Sequence, residues 1–195
     1  MILKYLTDNH YPVHVYQKDT VIYEPGAQPK AVYFIKSGEV RMVTVNDDGK
    51  EFIQGIFKAN QYFGEPALLV NKPYLAYTIV TKDAALIVVN KDEFFKLLEQ
   101  DRNFSMELIR TLSNRLFYKS MMLEELANEQ AEHRISTLIS YLLRNLEEGA
   151  VLDLTRQQLA DMSGLRVETV IRIVKKLSEQ HVLKLQRGKI VKMQI

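Results

Sequence analysis

The chain has 195 residues, a formal net charge of +2 and no cysteine, which excludes disulfides, thiolate metal sites and a cysteine nucleophile. Its four histidines are scattered, so we expect no metal site. No apolar run reaches the roughly 20 residues that span a bilayer, and the N-terminus lacks a signal-peptide pattern. We therefore expect a cytoplasmic protein with no membrane partner. Residues 151–195 hold nine basic and four acidic side chains, which suggests a polyanion partner for this end.

Residues 13–90 carry the pattern of many short β-strands. Apolar and β-branched residues alternate in short runs, and turn-forming pairs such as Pro25-Gly26 and Ser37-Gly38 separate the runs. Asp48-Gly49 between two of them is a strong hairpin signal. The predicted strands are 20–23, 31–35, 39–45, 51–57, 77–80 and 84–89. This many short strands predicts a sandwich or a jelly-roll barrel.

The pattern then changes to helical periodicity. We predict a short helix at 92–100, a long one at 103–128 and a third at 132–146, with Gly149 as the C-terminal cap of the third. The third helix has the wide apolar stripe of a core element.

The long helix carries a seam of residues spaced three and four apart. Its members are Leu108, Leu112, Leu116, Lys119, Leu123 and Leu126. A seam of this length is typical of a two-stranded coiled-coil contact between two copies, which we favour. The alternative is an amphipathic helix that packs on its own barrel.

A helix-turn-helix is predicted after residue 154. Thr155 and Gln158 have the spacing of a capping box, so a helix should begin there. Gly164 in Ser163-Gly164-Leu165 is free to adopt positive φ and predicts a tight turn. A second helix is expected from Arg166, and the two short helices with this turn between them form the motif.

The second helix of the motif is expected to enter the major groove of DNA. Six of its residues avoid the apolar stripe, namely Arg166, Val167, Glu168, Arg172, Lys175 and Lys176. Glu168 and Arg172 are four residues apart and share one helix face. A carboxylate accepts a hydrogen bond from cytosine N4, and an arginine binds guanine O6 and N7 together. An ordinary surface ion pair between the two is the alternative.

Residues 181–193 predict a β-hairpin around Arg187-Gly188, the wing of a winged helix. Its basic side chains are expected to contact phosphates, which positions a module on DNA without reading sequence. These side chains are Lys184, Arg187, Lys189 and Lys192.

Nearly all of the chain resembles the Crp/Fnr superfamily of bacterial regulators, through two sets of motifs in the family's order. VYFIKSGEV at 32–40, DGKE at 48–51 and YFGE at 62–65 are similar to its cyclic-nucleotide-type β-roll. LTRQ at 154–157 and VETVIR at 167–172 are similar to its DNA-binding helices.

The resemblance implies an α+β chain in three parts. These are an N-terminal jelly-roll β-barrel of the cyclic-nucleotide-binding type (1–100), a dimerisation helix and hinge (101–129) and a C-terminal winged helix-turn-helix (130–195). The implied partners are a second copy, palindromic double-stranded DNA and RNA polymerase.

Carried over by position, Glu168 and Arg172 match the family's base-reading pair. Other recognition-helix contacts fall at Arg166, Val167 and Thr169, and backbone contacts fall at Thr155 and Arg156. Gln157, Lys175, Arg187 and Lys189 complete the predicted DNA-binding set.

The effector pocket departs from the family pattern. Gly64-Glu65 is present, but the phosphate-holding Arg-Ser or Arg-Thr pair of cyclic-AMP-binding members falls at Leu75 and Ala76, which offer neither a cation nor a donor. The long-helix positions that reach the nucleotide base match Lys119 and Ser120. We expect a degenerate or altered pocket that does not bind cyclic AMP in the usual way. No cofactor is assigned, and any small-molecule effector is unidentified.

Two other classes of function compete with that of a regulator. A ligand-binding signalling module without sequence-specific DNA function is the alternative, and the intact pair Glu168 and Arg172 argues against it. The sequence has no P-loop, nucleophile elbow or paired-carboxylate site. We therefore expect no enzyme activity and no catalytic residue.

Overall fold

The computed structural model describes residues 2–127, 130–144 and 146–193. The chain packs as two compact units, Met1–Ser113 and Asn114–Ile195. The division into an effector roll, a dimerisation helix with hinge, and a DNA-binding domain stays a prediction.

The first unit is built on antiparallel strands. Its elements in chain order are α1 (Ile2–Asp8), β1 (Val13–Tyr16), β2 (Val21–Tyr23), β3 (Ala31–Val45), β4 (Glu51–Lys58), β5 (Tyr62–Phe63), α2 (Glu65–Val70), β6 (Tyr77–Asn90) and α3 (Lys91–Gln100). The strands run in the order β1-β6-β3-β4, while β2 pairs with β6 and β5 pairs with β3. The predicted β-roll class is therefore confirmed.

Strands β3 and β6 are each continuous where the sequence predicts two short strands. The predicted turn at Ser37-Gly38 is wrong, because β3 stays paired with β6 through this point with shifts in register. Gly38 has a φ of 93°, and a Cβ on it would lie 2.3 Å from the carbonyl oxygen of Asp83. The glycine thus marks a bulge with a close backbone approach rather than a chain reversal. The hairpin predicted at Asp48-Gly49 is confirmed and joins β3 to β4.

One apolar core of this unit gathers helices onto the sheet. Ile2 and Leu6 of α1 are buried in it with Phe34 and Phe94. No pattern in the sequence predicts α1, because a single turn of apolar spacing does not stand out before the first strand. Burial of its two side chains holds the N-terminal segment in place.

The long helix α4 (Arg102–Ala127) confirms the predicted element, whose expected last residue, Asn128, lies outside the described residues. One part of its predicted seam is buried and the other part is exposed. Leu108 is buried in the roll core and Leu112 packs against that core. Leu116 and Leu123 are each 68% exposed, and Leu126 is also exposed. Packing on the chain's own barrel accounts for the first two leucines and leaves the last three uncovered.

The second unit continues with α5 (Ala131–Leu143), α6 (Arg156–Ser163), α7 (Val167–Glu179) and the hairpin strands β7 (Lys184–Gln186) and β8 (Lys189–Val191). This order confirms the predicted winged helix-turn-helix. No helix in the described ranges combines the length and the apolar content needed to cross a membrane.

The segment around the end of α5 corrects three predictions. The helix stops at Leu143, three residues early, and Gly149 is not its cap but donates its N–H to the carbonyl oxygen of Lys192. The ammonium of Lys192, predicted to contact phosphate, donates instead to the carbonyl oxygens of Arg144 at 3.2 Å and Leu146 at 2.6 Å. A cation from the wing therefore satisfies the carbonyl groups just beyond the helix end, which sequence spacing does not reveal.

Candidate DNA-binding surface

The start of α6 is fixed by the predicted capping box. The hydroxyl of Thr155 accepts from the backbone N–H of Gln158 at 3.1 Å, and the Gln158 side-chain oxygen accepts from the N–H of Thr155 at 2.8 Å. The Thr155 side chain stays exposed, and its O–H remains able to donate to a phosphate.

The turn between the two helices depends on Gly164. This residue caps α6 with a φ of 69°, and Leu165 donates back to the carbonyl oxygen of Ala160 at 3.1 Å. Arg166 then begins α7 as its N-cap, without a capping bond from its side chain. Arg166 is exposed at the start of α7, where a recognition helix meets DNA.

Helix α7 has one buried and one charged face. The buried side chains are Val170, Ile173, Val174 and Leu177. Glu168 and Arg172 are exposed, and neither side chain makes an ion pair or a hydrogen bond with any other described residue. The alternative of an ordinary Glu–Arg surface pair therefore does not apply. Val167 and Thr169 beside them are half-buried.

Two further cations of α7 have acidic neighbours. Lys175 lies 3.8 Å from Glu179 in an exposed pair four residues apart. Lys176 lies 2.6 Å from Glu132 of α5. The first pair is loose enough to leave Lys175 available to a phosphate, while the second connects α7 to the helix beneath it.

The wing turns at Arg187-Gly188, where φ is 48° and 78°, as expected for a two-residue hairpin. Arg156 at the start of α6 donates to the carbonyl oxygen of Gly188 at 2.8 Å, and burial lowers the pKa of its guanidinium. Arg156 therefore braces the wing against α6. Arg187 and Lys189 are exposed beside this contact.

Gln157 and Lys184 complete the set of predicted contacts. The Gln157 amide donates to the carboxylate of Asp161 at 2.8 Å, so its position on α6 is fixed from within the helix. Lys184 is exposed at the start of β7.

The sequence does not predict a polar network that lies at the start of α5. Glu125 of α4 is buried and accepts from Thr137 at 3.0 Å, and its carboxylate lies 2.7 Å from Nδ1 of His133. Arg134 donates to the carbonyl oxygens of Glu125 at 3.0 Å and Ser163 at 3.2 Å. The network joins the end of α4 to α5 and α6. The network produces no periodic pattern in the sequence, because Arg134 binds main-chain oxygens, which every residue has.

The predicted effector residues of the first unit differ in how far they are buried. Gly64 caps α2 with a φ of 93°, and a Cβ on it would lie 3.1 Å from the carbonyl oxygen of Ala31. Glu65 is fully buried and Ala76 is nearly so, whereas Leu75 is 84% exposed. The position that would carry the phosphate-binding arginine thus faces solvent and carries a leucine.

Two tyrosines lie near Glu65, within an aromatic cluster of the roll. Tyr23 and Tyr74 stack with their ring centroids 3.6 Å apart, and Tyr33 and Phe63 stack at 5.1 Å. Burial raises the pKa of Tyr23 and of Tyr74, and the nearby charge of Glu65 adds to both shifts. The charge of Glu65 therefore lies close enough to two buried phenol groups to affect their ionisation.

The remaining effector residues, Lys119 and Ser120, belong to the second unit and are exposed on α4. Within the described residues, no three His, Asp or Glu side chains are grouped to hold a metal ion.

Two domain models match the chain. A cyclic nucleotide-binding domain matches residues 13–101, and a Crp-like helix-turn-helix domain matches residues 133–194. Together they span most of the chain in the order that the fold displays.

Individual relatives agree with these domains. A cAMP-activated global transcriptional regulator CRP from Pasteurella multocida is 26% identical over 181 residues, which cover 90% of this chain and 87% of the relative. A global nitrogen regulator from Nostoc is 27% identical over 186 residues, covering 91% and 83%. The structure of a CooA mutant from Carboxydothermus hydrogenoformans matches with a TM-score of 0.80 at 18% identity, covering 98% of this chain and 90% of that one. The chain belongs to the Crp/Fnr family of transcription regulators.

Proposed function

We propose that two copies of this chain form a homodimer that binds a palindromic site in double-stranded DNA and regulates transcription there. The observation that carries the proposal is the pair Glu168 and Arg172, exposed on one face of α7 with no partner among the described side chains. Free hydrogen-bonding groups at this position suit the edges of bases in a major groove.

The surrounding side chains suit the phosphate backbone. Arg166 precedes α7, Thr155 and Arg156 begin α6, and Arg187 and Lys189 stand on the wing. Hydroxyl, guanidinium and ammonium groups are the usual phosphate contacts. We infer that these groups set the orientation of the module on DNA, while Glu168 and Arg172 recognise the base sequence.

The exposed leucines of α4 support the homodimer. Leu116 and Leu123 are one heptad apart and largely exposed, and Leu126 continues the same stripe. The opposite face of the helix packs within the unit, where Tyr118 stacks on Tyr141 at 4.4 Å. A matching stripe on a second copy would bury these leucines in a coiled-coil contact. Two-fold symmetry then places two half-sites about one helical turn apart.

The roll supports an altered effector pocket. Leu75 and Ala76 carry no charge for a phosphate, and Glu65 is fully buried near Tyr23 and Tyr74. We infer that cyclic AMP does not bind in the family's usual way. An interaction with RNA polymerase and a cytoplasmic location stay predictions.

An in vitro selection from random-sequence duplex DNA tests the proposed function. Purified wild-type protein should enrich an inverted repeat over successive rounds. Enrichment of no common sequence would favour the alternative, a signalling module without sequence-specific DNA function.

Lys189→Ala should weaken binding to every DNA sequence by a similar factor, because a phosphate contact carries no base information. The slope of log affinity against log salt should fall in magnitude by about 1. Fluorescence anisotropy on the selected operator and on scrambled DNA measures both effects. Lys36→Ala, which removes an exposed lysine of the first unit, is the control and should change neither. A loss confined to the selected operator would contradict the assigned role.

Cyclic AMP should leave the thermal unfolding of the protein unchanged. A ligand at 100 times its Kd adds about 2.7 kcal/mol to stability, which a thermal-shift measurement detects easily. The same measurement over a panel of cyclic nucleotides and metabolites would show whether the pocket binds another ligand. A large, saturable shift with cyclic AMP would refute the inference from Leu75 and Ala76.

A further inference from the structure

One side chain on the charged face of α7 carries no charge. Ile171 is 50% exposed, although the buried face of the helix already holds its four apolar residues. Every other exposed position of α7 is acidic or basic, namely Glu168, Arg172, Lys175, Lys176 and Glu179. Ile171 therefore stands apart on a face that otherwise suits phosphates and polar base edges.

Helix geometry places Ile171 beside the base-reading pair. It lies three residues after Glu168, and it immediately precedes Arg172. At about 100° per residue, Ile171 is displaced from Glu168 by about 60° around the axis, and Lys175 falls between them. The side chain thus borders the same row that we assign to the major groove, one turn further along the helix.

We propose that Ile171 contacts the C5-methyl group of a thymine in each half-site and so adds a base preference of its own. This inference rests on the proposed function. In the major groove the thymine methyl is the apolar feature of the base pairs, and apolar side chains recognise it by direct contact. Neither Glu168 nor Arg172 offers an apolar surface for this group. Ile171 is thereby a specificity-determining residue, although it forms no hydrogen bond to a base.

Replacement of thymine by deoxyuridine tests the contact, because it removes the methyl group and leaves every hydrogen-bonding atom in place. The probe is the operator recovered with wild-type protein, with symmetric thymine pairs replaced one pair at a time. We expect one pair whose replacement weakens binding by about fourfold per half-site and about 15-fold in total, the effect of losing one buried methyl-sized group. Replacement at the other thymine pairs should have little effect.

The variant Ile171→Ala identifies the side chain that reads the methyl. It should bind the thymine and deoxyuridine operators with equal affinity, so that the two changes are not additive. Gln180→Ala, at the exposed end of α7, is the matched control and should retain the wild-type difference. Circular dichroism of each variant checks that the helix is intact.

The outcomes separate this inference from the function beneath it. A wild-type operator that tolerates deoxyuridine at every thymine would overturn the methyl contact alone. A thymine preference that persists in Ile171→Ala would assign the methyl to another side chain and also overturn it. A selection that recovers no operator would overturn the proposed function together with the inference.

Discussion

Leu116→Glu should convert the protein from a dimer into a monomer. In the proposed dimer this side chain is covered by a second copy, and an ionised carboxylate buried without a partner costs several kcal/mol. A monomer reaches only one half-site at a time. Its affinity for the palindrome should therefore fall by about 10²-fold or more, since the second half-site no longer binds intramolecularly. Analytical ultracentrifugation measures the mass, and anisotropy measures the affinity.

Asn114→Glu is the matched control for this change. It introduces the same charge on the same helix at an exposed position roughly opposite Leu116. The control should remain a dimer with unchanged DNA affinity. A Leu116→Glu protein that stays dimeric would show that the exposed leucines of α4 are not the interface.

Arg172→Ala should relax the preference at one base pair of each half-site. A bidentate arginine–guanine contact is worth about 1–3 kcal/mol of discrimination, which corresponds to about 5- to 150-fold in affinity. The affinity for the selected operator should fall by this factor for each half-site, while the affinity for operators already changed at that pair in both half-sites should fall far less. Anisotropy on a set of single-pair variants of the operator identifies the pair.

Arg172→Lys separates base reading from charge. Lysine keeps the positive charge but lacks the planar fork that binds guanine O6 and N7 together. We expect Arg172→Lys to keep the wild-type salt dependence and to lose most of the preference at the same pair. Equal preference in the lysine and arginine proteins would make Arg172 a phosphate contact instead of a base reader.

The DNA-binding end was predictable from the sequence because its signals are local. The capping box at Thr155 and Gln158 lies within four residues, Gly164 marks its own turn, and Arg187-Gly188 marks the wing. The apolar stripe of α7 has the period of the helix that it forms. The exposure of Glu168 and Arg172 follows from that same period.

Predictions failed where contacts between distant segments decide the structure. Ser37-Gly38 has the composition of a turn, but Gly38 lies within a strand, where its lack of a side chain leaves room for the backbone of Asp83 in β6. Gly149 is a residue type that often caps a helix, but here the ammonium of Lys192, which follows the wing, donates to the carbonyl groups after α5. Spacing along one segment contains no information about a partner more than 40 residues away.

The division of the α4 stripe and the role of Arg134 show the same limit. A spacing of three and four predicts that one face is apolar but not what covers it, and the roll core covers Leu108 while leaving Leu123 exposed. Arg134 connects Glu125 and Ser163 through their carbonyl oxygens. Every residue has such an oxygen, so the identity of these partners cannot be read from side-chain chemistry.

The ratio of two dissociation constants tests sequence-specific DNA recognition most directly. Wild-type protein is titrated against the selected palindrome and against a duplex of the same composition with both half-sites scrambled, at one salt concentration of about 0.15 M. We predict that the palindrome binds at least about 10³-fold more tightly. Equal affinities, with the same salt dependence for both duplexes, would contradict the assignment of Glu168 and Arg172 as base readers.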